Sequence, residues 1–302
     1  MKVYDCFTFY NEFELLELRL KVLWEMVDYF VIVEADKTHT NKPKPFYFWE
    51  RQDEFKKFFP KIRHLPVEMN VPYKGVGDWS IENAQRDAII YGLEDAAPDD
   101  LVFISDLDEI PAPDIIQRLN ANEELFFNFA VEPPLTKTPT VYPAKILVSA
   151  LEYLEKSFVA LAQNFHQYYF DRMSCEPWSG TVLTKRKNLS TPQMLRNARN
   201  DIPFILNGGR HFSYMGGTER VLEKMTSIVD GNEFVVQSGG KLIDRRHVEE
   251  AMTNGTDIYR RKENPHEKFF PFDAKKIRLP CLNEFLKKYP HFLREPEKYF
   301  AN

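Results

Sequence analysis

Residues 101–111, LVFISDLDEIP, decide how this chain reads. Residues 101–104 are consecutively apolar, the pattern of a short strand covered on both faces in a parallel sheet. Asp106 and Asp108 stand one residue apart just beyond it. Open α/β sheets bind ligands where their strands end, so this spacing puts two carboxylates at the mouth of such a sheet. There they can share a hard divalent cation, and the cation can hold a diphosphate. A D-x-D pair alone is common on acidic surfaces. The strand before it and Glu109, Ile110 and Pro111 after it make the pattern more specific.

Upstream of this stretch, strand and helix patterns alternate. Residues 2–9 form an apolar strand interrupted by Asp5. Asn11 then suits a helix cap, with Glu14 completing a capping box, and Leu16, Leu20, Leu23 and Val27 share one helical face. Residues 29–34 and 63–67 are two more strands, separated by a polar, proline-bearing loop at 36–45. Residues 80–93 predict a helix capped by Ser80. The expected fold is α/β, a mainly parallel central sheet flanked by helices.

Downstream, Pro113 suits the first turn of a helix. Residues 131–143 are rich in proline and threonine and expected to be irregular, and aromatic residues 153–170 fit strand or helix equally. Residues 180–184 predict a strand and 218–229 an amphipathic helix. The absence of repeats or a linker points to one domain over 1–302. It divides into a nucleotide-binding half at 1–115, an acceptor and metal half at 116–260, and a C-terminal wrapping segment at 261–302.

Hydrophobic residues make up 43% and charged residues 28% of the 302, as in ordinary globular proteins. A net charge of -5 gives no electrostatic reason to expect nucleic acid or an anionic membrane as partner. Three cysteines suit neither a disulfide framework nor a zinc site, which favours a reducing, cytoplasmic setting. The N-terminus is too short and polar for a signal peptide or anchor, and no run reaches the ~18 apolar residues of a membrane span.

Five segments, DCFTFYNEFELLELRL, VDYFVIVEADKTHTNKPKP, ENAQRDAI, ISDLDEIP and HFSYMGG, resemble glycosyltransferase family 17 in the same order. The match is dense over 5–115 and sparser to about 260. The resemblance implies a GT-A-type fold and inverting transfer of a sugar, GlcNAc from UDP-GlcNAc, to a glycan hydroxyl. It also implies Mn²⁺ or Mg²⁺ as cofactor. The chain is shorter than the animal enzymes and lacks their anchor, so it looks like a soluble microbial or viral member, and the family's N-glycan acceptor is not carried over to it. The expected partners are thus a nucleotide sugar and a glycan acceptor, with oligomeric state left open.

The family pattern makes Asp108 the direct metal ligand, with Asp106 reaching the ribose or a metal-bound water. Glu109 either joins them or serves as a salt-bridge partner. His211 is a candidate third ligand, against an ordinary core histidine. Gly208, Gly209, Gly216 and Gly217 would allow close approach of a phosphate or sugar, or simply make turns. Asn83 and Arg86 share a helix face that can hold the nucleotide, unless Arg86 merely pairs with Glu82 or Asp87. Asn11, Glu12 and Glu34 lie at strand ends where a uridine would sit.

Inverting transfer needs a carboxylate base. Glu219 is the first candidate, with Glu176 and Asp171 as rivals. Trp178 is a candidate stacking platform for the acceptor, or buried packing. Lys37, Thr38, His39, Lys42 and Lys44 form either a lid over the donor phosphates or a solvated loop. Other nucleotide-sugar donors and a non-catalytic carbohydrate-binding protein are the alternatives. A dehalogenase-type phosphatase also places D-x-D after a strand, but the Glu-Ile-Pro that follows here argues against it.

Overall fold

The computed structural model describes residues 1–121, 123–128, 145–237, 244–259 and 268–301. The irregular segment expected at 131–143 lies outside them. In chain order, β1 (Val3–Phe9), α1 (Phe13–Leu23), β2 (Tyr29–Ala35), α2 (Tyr47–Arg51) and β3 (Ile62–Val67) are followed by α3 (Ser80–Asp87) and β4 (Leu101–Asp106). β5 (Glu109–Pro111), α4 (Pro113–Asn120), β6 (Glu124–Asn128), β7 (Lys145–Ser149) and α5 (Ala150–Tyr153) come next. Then follow β8 (Phe158–Gln167), β9 (Arg172–Ser174), β10 (Trp178–Lys185), α6 (Pro192–Asn197) and β11 (Phe204–Ser213). The chain ends with α7 (Thr218–Ser227), α8 (Val229–Gln237), α9 (Arg245–Asn254), β12 (Phe269–Pro271), α10 (Leu282–Lys288) and α11 (Pro296–Phe300).

One sheet runs β3-β2-β1-β4-β10-β8-β11-β6-β7. The expected α/β architecture is present. β3, β2, β1 and β4 are parallel; β1, β2 and β4 are covered on both faces, while β3 at the edge is half-buried. Beyond β4 the sheet is mixed: β10 is antiparallel to both neighbours, and β8 pairs in parallel with β11. Strand alternation separates two cores. Phe7, Phe30 and Phe103 pack with α1 and α10, while Tyr4, Val31 and Val102 pack with the 3₁₀ turn at Ala88–Leu93.

Three local expectations change. α1 has no side-chain cap, because Asn11 turns away and donates Nδ2 to Glu223 at 2.7 Å. The helix expected over 80–93 tightens into the 3₁₀ turn after Asp87 and presses on β2, where a Cβ on Gly92 would stand 2.4 Å from Val31. Ser80 is not its cap; Asp78 accepts the Ser80 amide at 2.9 Å, while Ser80 Oγ donates to the Pro72 carbonyl. The ambiguous 153–170 stretch contains a long strand, β8.

Candidate active site

The chain places β2 and β3 on one side of β1, then crosses to lay β4 on the other. At such a reversal neighbouring connections leave in opposite directions and a crevice opens at the carboxyl ends of the strands. A cavity of about 700 Å³ lies there, lined by Thr8, Phe9 and Tyr10 after β1 and by Asp106 and Asp108 after β4. Its size and mix of aromatic and polar walls are those of a small-molecule site.

The floor is set by Arg19. This fully buried arginine on α1 donates Nε and Nη2 to the Asp5 carboxylate at 2.8 and 2.6 Å. Nη2 also reaches Ser105 Oγ at 2.6 Å. Nη1 donates to the carbonyls of Asp106, Leu107 and Glu109 at 2.9, 2.9 and 3.0 Å. A buried guanidinium is tolerable only when paired and saturated in this way. The pairing fixes the backbone of the D-x-D turn. The signal was in the sequence: a lone acid in an apolar strand, and an arginine 14 residues later among leucines.

Asp106 presents 36% of its side chain to solvent and accepts Arg86 Nη2 on one oxygen at 2.8 Å and Arg196 Nη2 on the other at 2.9 Å. Burial would raise its pKa, but the Arg196 and Arg86 charges outweigh that and hold it well below the carboxylate range. Arg86 also pairs with Glu82 at 3.0 Å, and His39 lies between Glu82 at 3.2 Å and the Gln85 side-chain oxygen at 3.1 Å. Burial opposes ionisation of Glu82, yet His39 and Arg86 lower its pKa to about 2. Burial likewise opposes the charge on His39, but Glu82 raises its pKa.

Asp108 is buried and differently partnered. Lys224 of α7 donates to Oδ2 at 2.8 Å, and His211 Nε2 lies 3.4 Å from Oδ1. Burial raises its pKa, but Lys224 and then His211 overcome this and lower it. His211 stacks on Phe165 at 4.6 Å between centroids, and its Nδ1 is buried with no hydrogen-bond partner among the described residues. Glu109 is fully buried. Its Oε1 accepts Trp178 Nε1 at 2.7 Å and an Arg196 N–H, and its Oε2 accepts the Asp106 amide at 3.1 Å. It is therefore the salt-bridge partner of the two readings. Trp178 lines the cavity beside Phe165 and His211.

Arg86, Asn83, Glu12, Asp106, Asp108, His211 and Trp178 all reach the cavity. Lys37, Thr38, His39 and Lys44 do too, while Lys42 donates to the Thr226 carbonyl on α7. Other candidates do not line it. Glu34 is fully buried, accepting the Phe48 amide and His64 Nε2 at 3.0 Å with Lys44 3.5 Å away, so it is a core ion rather than a uridine contact. Asn11, Gly216 and Arg220 border a smaller recess adjoining the cavity at Asp108 and Lys224.

Gly217 precedes α7 with φ 90°, a turn position. A Cβ on Gly209 would meet the Ile110 carbonyl at 2.2 Å, so that glycine permits the β5–β11 approach rather than a phosphate contact, and Gly208 similarly faces Leu161. Glu219 is 72% exposed and pairs with Arg245. Asp171 accepts the Arg294 and Glu295 amides, and Glu176 also lies off the cavity lining. Sequence reasoning missed Lys224 and Arg196, which reach the site from α7 and α6, and Glu223, which ties α7 to Tyr10 and Asn11.

The expected metal ligands do not fit a divalent ion in this arrangement. Both Asp106 oxygens carry guanidinium bonds, Asp108 carries an ammonium, and no group of three His, Cys, Asp or Glu among the described residues is disposed to hold a metal. No helix of the described residues is long and apolar enough to cross a membrane.

Residues 1–128 match the model of glycosyltransferase family 17, the family that the ordered motifs resemble. The β-1,4-mannosyl-glycoprotein 4-β-N-acetylglucosaminyltransferases of rat and human are 29% identical over 119 residues and 30% identical over 110. Those stretches are 37% and 34% of this chain but 22% and 21% of the relatives, so the chain covers about a fifth of their length. A mannosyltransferase of Pyrobaculum calidifontis, solved with GDP-Man and Mn²⁺, aligns over 83% of this chain and 69% of its own at 14% identity, with a TM-score of 0.32.

Proposed function

We propose that this chain is a glycosyltransferase that takes GlcNAc from UDP-GlcNAc and places it, with inversion, on a hydroxyl of a glycan acceptor. One observation carries the reading: Asp106 at the end of β4 and Asp108 just beyond it face a cavity of nucleotide-sugar size at the reversal of the strand order, within a segment that matches family 17. The GlcNAc donor is supported by the relatives over that same segment.

The uridine is assigned to the ends of β1 and β2, where Gln85 Nε2, already bonded to the Val33 carbonyl at 2.9 Å, orders the strand ends beside Thr8, Tyr10 and Thr38. Asp106, pinned by two arginines, takes the ribose hydroxyls. The acceptor sugar lies against Trp178, whose ring Glu109 fixes in place. Its hydroxyl attacks the anomeric carbon from the face opposite UDP, and its proton passes to a cavity carboxylate. Asp230 and Asp257 line the cavity, whereas Glu219, Glu176 and Asp171 do not. The Mn²⁺ or Mg²⁺ that the family implies has no place between Asp106 and Asp108 as they stand, and every role above belongs to a side chain.

Calorimetric titration with UDP-GlcNAc, UDP-Glc, UDP-Gal and GDP-Man tests the assignment. Binding strongest for UDP-GlcNAc is expected. Binding of none of the four overturns the reading.

A further inference from the structure

We propose that Lys224 receives the donor's diphosphate, with Asp108 holding its ammonium in position. The inference deepens the nucleotide-sugar reading and rests on it. Lys224 stands on α7, and its Nζ reaches across to Asp108 Oδ2 at 2.8 Å, so it spans the crevice from the far wall to the end of β4. Its helix is fixed to the end of β1. Glu223 accepts Tyr10 Oη at 3.1 Å and Asn11 Nδ2 at 2.7 Å, and Arg220 donates to the Asn11 carbonyl at 2.9 Å. The ammonium is thereby placed between the two strand ends where a ligand of an open α/β sheet lies.

An ammonium has three donors. Among the described residues Asp108 is the hydrogen-bond partner of Nζ, so N–H groups remain to face the cavity, and 22% of the side chain is exposed there. The two arginines on Asp106 are more heavily engaged. Arg86 serves Glu82, Asp106 and Gln193; Arg196 serves Asp106, Glu109 and the Gly180 carbonyl. Lys37 donates to the Met69 carbonyl, and Lys44 lies beside Glu34. Arg199 retains donors but stands over Trp178, on the side assigned to the acceptor. Lys224 is the lysine at the D-x-D turn and has bonding capacity left, and a compact ammonium is a ready phosphate binder. It also occupies the carboxylate oxygen that a divalent ion would take, which accounts for the poor fit of the metal ligands.

The test compares wild type with K224M and K224R, titrating UDP by calorimetry and uridine by ligand-observed NMR, each with Mn²⁺ and with EDTA. In whichever buffer wild type binds UDP, K224M is expected to lose at least about tenfold in UDP affinity while uridine binding holds, and K224R to restore most of the loss. Removing the ammonium leaves the buried Asp108 with His211, 3.4 Å away, as its remaining partner. Should K224M not fold, D108N/K224M measured against D108N replaces it, with the same loss expected. UDP affinity unchanged in K224M, or UDP and uridine weakened alike, overturns the role of Lys224. A wild type that binds UDP in neither buffer overturns the nucleotide-sugar reading itself.

Discussion

The floor and the wall of the cavity are built on different principles. The floor is the D-x-D turn over Arg19 and Asp5, an ion pair with side-chain exposures of 0% and 1% whose polar groups are saturated by the turn's own carbonyls. The wall is α7, fastened to β1 and to the 37–44 loop by half-exposed bonds such as Glu223–Asn11 and Lys42–Thr226. Displacing a floor group leaves a buried charge without a partner, whereas a wall bond can exchange with water. The site therefore sets a saturated, buried floor against a wall held by bonds that water can replace.

The comparison breaks most readily at Arg19. Arg19→Met leaves Asp5 buried and unpaired, and urea unfolding should show a loss of about 3–5 kcal/mol. A loss under about 1 kcal/mol would mean that the floor is not fixed by this pair. In contrast, Glu223→Ala on the wall should cost about 1 kcal/mol, the value of half-exposed hydrogen bonds, in the same measurement. A cost equal to that at Arg19 would erase the distinction.

Acid sharpens it next. Glu82 has its pKa lowered from 4.5 to about 2 in the folded protein, so the stability it contributes is complete above about 4.5 and is lost as pH falls from there toward about 2. Glu82→Gln should flatten the acid limb of a thermal-melting profile relative to wild type, and an unchanged limb would contradict the pairing with His39 and Arg86. The smallest effects are expected at two places. Mn²⁺ without nucleotide should leave the melting temperature unmoved, since Asp106 and Asp108 are already neutralised by side chains. Glu219→Ala, at an exposed pair, should change stability by less than about 0.5 kcal/mol and leave turnover intact. A large Mn²⁺ shift, or lost turnover, would reopen the metal and base assignments made from sequence.

The parallel half of the sheet was legible because β1, β2 and β4 are mostly apolar runs, and the same logic placed Asp106 and Asp108 at the crevice. It failed at Glu34, which ends an equally apolar strand. Whether such a carboxylate enters a cavity or the core depends on partners such as His64, which arrives from β3. Position along the helix, not its phase, separates Glu219 from the inward contacts of α7. Glu223, four residues further along α7, meets Tyr10 and Asn11, and no single-sequence pattern tells which turn faces the ligand. Trp178 reached the site as expected, but its fixing by Glu109 is a contact across 69 residues. Lys224 reaches Asp108 across 116 residues, so its role emerges only once the chain is folded.

The most direct measurement is a crystal structure with UDP-GlcNAc bound. The diphosphate should lie within hydrogen-bonding reach of Lys224, the ribose beside Asp106 and the uracil at the ends of β1 and β2. A donor bound elsewhere on the surface, or crystals that take up none at saturating concentration, would contradict the assignment of this crevice as the site of sugar transfer.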